Sequence, residues 1–176
     1  ISIEKAVEED IVDANNLSPD VDVTIDTSNL SIKSMRQMIY DLLSDDRKGV
    51  LNVNFISFGL KNGVPAGIDM IFDVRSIPNP FWVDDLKEFT GYDQKVIDYL
   101  ESFPKTHELV QRIEDFLTTQ LKDMVKEGRV NYNIGIACSG GQHRSTYVAK
   151  VLKDYFAGEY DTHVIHRDTP ALNENK

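Results

Sequence analysis

One cysteine, Cys138, is all the thiol this chain holds. No internal disulfide can staple it, so the fold must rest on a buried core. No apolar run approaches the roughly 20 residues of a membrane span. No cationic, then apolar, then small-residue pattern marks an export signal. Positive charge is scarce: 19 Lys and Arg stand against 29 Asp and Glu, a net charge of -10. Such a field repels phosphate backbones and counts against broad nucleic-acid or anionic-membrane binding. The two histidines of HVIH (163–166) are three apart. On a strand they face opposite sides, so no metal site is expected. Internal repeats and low-complexity tracts are absent. These exclusions point to a cytoplasmic protein whose chemistry is confined to a local pocket.

What is present is globular. The chain has 176 residues, 41% hydrophobic and 27% charged, enough for one sizeable domain or a domain with an appendage. It begins at Ile1 rather than Met, so it is expected to be part of a longer protein. Residues 1–17 read as a short helix and VDVTIDT (21–27) as a strand. Ser28 and Ser31 offer caps for a helix over 31–44, and the polar run 44–49 reads as a turn. Strands are expected at 50–59, 68–75, 130–138 and 162–167, and helices at 93–102, 105–127 and 142–156, with PALNENK a polar tail. Strands alternating with helices imply an α/β domain with a mixed or mostly parallel sheet.

The stretch ACSGGQHRST (137–146) follows an apolar strand and opens a helix. Ligands of open α/β sheets sit beyond the carboxyl ends of the strands. Gly140 and Gly141 let backbone N–H groups turn inward. The helix start aims its free N–H groups and positive dipole end at the same spot. Ser139, His143 and Arg144 add a hydroxyl and charge. Together these residues favour an anion, a phosphoryl group or a carboxylate.

A sharper reading stands beside this one. Cys138, Arg144 and Ser145 have the C-x5-R-[ST] spacing of cysteine-dependent phosphatases, in which a thiolate attacks the phosphate that the loop holds. Asp73 would then be the general acid. The alternative is a buried structural cysteine. In FDVRSIPNPFW (72–82), Asp73 and Arg75 share a strand face and pair with each other or with a ligand. Asn79 lies between two prolines on a rigid segment. Phe81 and Trp82 stack on a ring or fill core, with the core expected for Trp82. Lys61 and Thr27 are further candidates at the same sheet edge. His107 is expected at the surface.

SFGLKNGVPAGIDMIFDVRSIPNPFW, LKEFTGYDQKV and NYNIGIACSGGQHRSTYVAKVL resemble the C-terminal domain of the RapZ/YvcJ family of bacterial P-loop nucleotide-binding proteins. The resemblance runs from about Val21 to Asp168. It implies a phosphofructokinase-like half that senses a phosphorylated amino sugar or a UDP-sugar and regulates amino-sugar and cell-envelope metabolism. It also implies a homo-oligomer with a regulatory protein partner. ATP and GTP would be bound and hydrolysed in an N-terminal Walker-A domain of which residues 1–30 look like a remnant, leaving 31–176 as the sensing domain without catalysis or cofactor of its own. Carried over, the pocket comprises Asp73, Arg75, Asn79, Ser139, Gly140, Gly141, His143 and Arg144. Some members deliver small RNAs to an endoribonuclease. The tail here lacks their basic cluster, which counts against RNA. Phe81 stands where some members carry a histidine.

Overall fold

The computed structural model of the chain describes residues 3–17, 25, 27, 30–43 and 51–173. They fall in two compact units, Ile1–Leu43 and Ser44–Lys176. The first holds two helices, α1 (Ile3–Leu17) and α2 (Ile32–Leu43). Ser31 caps α2, its Oγ accepting the Ser34 N–H at 3.0 Å. The strand expected at 21–27 lies outside the described residues except for Ile25 and Thr27, and the turn at 44–49 lies outside them entirely.

The second unit is an α/β sheet. Its strands are β1 (Asn52–Gly59), β2 (Met70–Asp73), β3 (Asn131–Cys138) and β4 (Asp161–His166), in the order β2-β3-β1-β4. Every pairing is parallel. Helices α3 (Gln94–Glu101), α4 (Pro104–Lys126) and α5 (Arg144–Phe156) complete it. Pro104 opens α4 at its first position, where its missing N–H costs nothing, and so parts α3 from α4.

The core lies between the sheet and these helices. Val53 and Phe55 of β1, Ile134 and Ile136 of β3, and Val148 and Leu152 of α5 are fully buried. Phe55 stacks on Phe156, and Phe72 of β2 meets Phe116 of α4 edge-on. Along the sheet, β2→β3 and β3→β4 step one way and β1→β2 steps the other. Right-handed crossovers therefore send the 60–69 connection across the face opposite the helices. It passes over Gly135, where an added Cβ would meet the side chains of Phe58 and Ile68.

Two expectations are corrected. The strand expected at 68–75 stops at Asp73, because the Asp73 carboxylate accepts the Arg75 N–H at 3.0 Å and starts a turn. The tail is partly built: 170–173 form a 3-10 turn, and the Asn173 amide brackets the His166 backbone, accepting its N–H at 2.8 Å and donating to its carbonyl at 3.0 Å.

Candidate functional site

Gly59 and Cys138 are register partners at the carboxyl ends of the two central strands. The loop 139–143 leaves from there and turns back over Gly59. A Cβ on Gly59 would stand 2.5 Å from the Gly140 carbonyl carbon and 2.9 Å from the Gly141 nitrogen, so only glycine admits the loop. Gly141 has a φ of 84°, and a side chain there would also strike the Asp168 carboxylate. That carboxylate accepts the Gly59 N–H at 2.6 Å. Burial works to raise its pKa, and hydrogen bonds from Arg167, the Gly59 N–H and Asn62 outweigh it, holding the group below the usual carboxylate value.

Arg144, the first residue of α5, is 5% exposed. Its Nη1 donates to the Arg75 carbonyl at 3.0 Å and the Ile77 carbonyl at 3.3 Å, and its Nη2 to Ser139 Oγ at 3.2 Å. It thus ties the turn after β2 to the loop after β3. Burial lowers its pKa from the ordinary arginine value. Asp73 does not pair with it: Arg75 grips Asp73 with Nε and Nη2 at 2.9 and 2.7 Å, in an exposed pair. The Arg75 side-chain hydrogen bond keeps Asp73 below the usual carboxylate value.

His143 is buried, and its Nε2 donates to the Leu86 carbonyl at 3.0 Å. Burial lowers its pKa, against the pull of the backbone hydrogen bonds. Gln142 Nε2 donates to the Lys87 and Phe89 carbonyls at 2.9 and 2.7 Å. Gly91 of TGYD sits on the start of α5, its N–H donating to the Gln142 carbonyl and to Thr146 Oγ1. The loop is therefore fixed from three sides. Cys138 Sγ accepts the Gly141 N–H at 3.1 Å and lies 3.2 Å from Ser145 Oγ.

A cavity of about 340 Å³ opens on this loop, lined by Cys138, Ser139, Gly140, Gln142, His143 and Arg144, with Lys61, Asn79, Phe81 and Trp82 closing the other side. It gathers nine of the residues singled out from the sequence: Asn79, Ser139, Gly140, His143, Arg144, Lys61, Phe81, Trp82 and Cys138. Asp73 and Arg75 are not in its lining, since each satisfies the other at the strand end. Gly141 points its open side at Asp168 instead. Thr27, exposed in the first unit, is not among the lining residues.

Gln142 was missed. Trp82, expected in the core, is 78% exposed, and Phe81 beside it 48%. Gly-Gly-Gln-His read as loop spacing with no sign that the amide would pin 87–89. A second cavity of about 440 Å³ holds Lys150 and Lys153, but Asp154 pairs with both, at 2.8 and 3.3 Å. Among the described residues no cluster of His, Cys, Asp and Glu is placed to hold a metal ion, and no helix is long and apolar enough to cross a membrane.

Residues 51–170 match the family model described as the RapZ C-terminal domain. Curated proteins of Bacillus cytotoxicus, Bacillus thuringiensis and Bacillus mycoides, each named a nucleotide-binding protein, are 38% identical over 146 residues. Each match covers 83% of this chain and 50% of the relative, so the chain spans about half the length of the curated relatives it matches.

Proposed function

Because this chain belongs to the RapZ family and carries that family's C-terminal domain, we propose that the cavity at 138–144 binds the anionic group of a phosphorylated small molecule, and that the domain acts as a ligand sensor without catalysis of its own. The observation that carries this reading is Arg144. It is a buried cation whose bonds all go to neutral oxygens. Asp73 attracts it without touching it. A buried charge with no contacting counter-ion is costly, and an anion in the adjoining cavity relieves the cost. Lys61 Nζ lies on the same side, 3.9 Å from where a Gly140 Cβ would stand. The α5 N-terminus adds its dipole.

A phosphorylated amino sugar or a nucleotide sugar fits this reading, with ATP or GTP handled by the other half of a longer, homo-oligomeric protein that answers to a regulatory partner. Thermal melting with glucosamine 6-phosphate and with inorganic phosphate tests it. Binding raises the melting temperature. A flat response to both, in a chain that melts cooperatively, counts against the sensor.

A cysteine-dependent phosphatase is the second reading, favoured by the Gly141 N–H and the Ser145 hydroxyl around Cys138 Sγ. Against it, Cys138 is 3% exposed, and Asp73, its general acid, is gripped by Arg75 outside the cavity lining. Vanadate-sensitive turnover of p-nitrophenyl phosphate, lost in Cys138→Ser, would establish the enzyme. Slow alkylation of Cys138, indifferent to phosphate, supports the structural role.

A further inference from the structure

The cavity has two chemically different sides. One is the amide and cation floor of Ser139, Gly140 and Arg144 with Lys61 beside it. The other is aromatic. Phe81 and Trp82 meet edge-to-face at 5.4 Å and 78°, making an open corner above the floor. A tryptophan that serves packing is buried, and this one stands almost free. It is nonetheless rigidly presented. Pro78 and Pro80 fix the backbone on either side of Asn79. The turn Pro80–Trp82 is closed by the Trp82 N–H donating to Asn79 at 3.3 Å and the Val83 N–H donating to Pro80 at 2.9 Å. Buried Ile77, Pro80 and Leu86 anchor the segment from below. Two exposed rings held stiffly at the mouth of an anion pocket lose little entropy when a flat ring joins them.

We propose that Trp82 and Phe81 are the recognition surface for an aromatic ring of the same ligand, so that the ligand class is a nucleotide or nucleotide sugar rather than a bare sugar phosphate. This rests on the anion-pocket reading. A planar base lays its face on one ring of the corner and its edge against the other. A puckered sugar offers no second flat contact.

Trp82 is the chain's one tryptophan, so its fluorescence reports the site directly. The full chain is titrated with uridine and adenosine monophosphates, glucosamine 6-phosphate and inorganic phosphate, with calorimetry for the variants. Nucleotides are expected to quench Trp82 and to bind about fivefold to hundredfold tighter than the sugar phosphate, the range that base stacking gives. Trp82→Ala should bring nucleotides down to the affinity of the sugar phosphate and leave the latter unchanged. Trp82→Phe should restore part of the difference. Equal affinity for nucleotide and sugar phosphate overturns the inference. So does a Trp82→Ala variant that binds nucleotide undiminished, including one whose only change is in sedimenting mass, which would reassign the corner to a protein contact. Nucleotide binding that responds to Arg144→Ala but not to Trp82→Ala removes the aromatic role alone. No binding of any probe removes the pocket reading with it.

Discussion

The floor of the cavity and its aromatic rim differ in how each residue is held. Arg144 donates to three oxygens from two separate segments, His143 and Gln142 bond outward to Leu86 and Lys87, and Gly141 bonds back to Cys138 Sγ. Trp82 meets Phe81 and otherwise stands in solvent. Floor residues therefore mix two roles, since removing one damages the fold and the site together. Rim residues separate them, because the backbone beneath fixes the ring and nothing above depends on it. Substitutions should consequently fall in a graded order from floor to rim.

Gly59→Ala is the hardest test of the floor. Its Cβ would collide with backbone of the loop and not with a side chain that can swing aside. A loss of about 3 kcal/mol is expected, roughly 10 °C in melting temperature. Near-wild-type melting would mean the loop is not seated on β1. Arg144→Ala comes next. It leaves the Arg75 and Ile77 carbonyls without their donor, costing about 2 kcal/mol, and weakens phosphate binding about tenfold to hundredfold. Arg144→Lys should recover part of each, lacking the planar fork. Calorimetry with paired melting curves reads both effects, and a variant that loses affinity at full stability would show the guanidinium is free for ligand.

His143 gives a smaller, pH-dependent effect. Its folded pKa is depressed, so the unfolded chain binds the proton more readily and stability rises with pH across the gap. The contribution is complete above the unfolded value of about 6.5 and is lost as pH falls below it. Denaturant midpoints measured downward from neutrality should show this limb, and His143→Gln, which keeps a donor for Leu86, should flatten it. An unchanged limb in His143→Gln would assign the acid sensitivity to other groups. Smallest is Trp82→Ala on stability, expected within about 0.5 kcal/mol of wild type by thermal melting. A larger loss would show that the rim supports the fold after all.

The alternation of strands and helices was legible in the sequence because each element carries its own period or its own breaker. Pro104 marks the start of α4, and the apolar run Ile134–Cys138 marks a central strand. Loop geometry was legible at 138–144, where two glycines, a histidine and an arginine follow that strand. What stayed hidden was long-range pairing. Nothing local says that Arg144 spends its donors on carbonyls 67 and 69 residues away. Asp73 and Arg75 look like pocket residues until the turn between them closes. Trp82 misled because hydrophobicity argues for burial, while the prolines flanking Asn79, which hold the ring outward, speak only of backbone.

The strand order bears on how the chain reaches this state. β1 is made first, yet its two sheet neighbours lie far along the chain, its side chains meeting theirs across separations of 79 residues at β3 and 109 at β4. Until both arrive, NVNFISFG has two bare edges rich in β-branched and aromatic residues. Such topology folds slowly, because chain closure precedes the contacts that reward it. Asn52 and Asn54 interrupt the apolar run on the half-exposed side. They keep a strand that must wait for its partners from finding the same strand in another molecule.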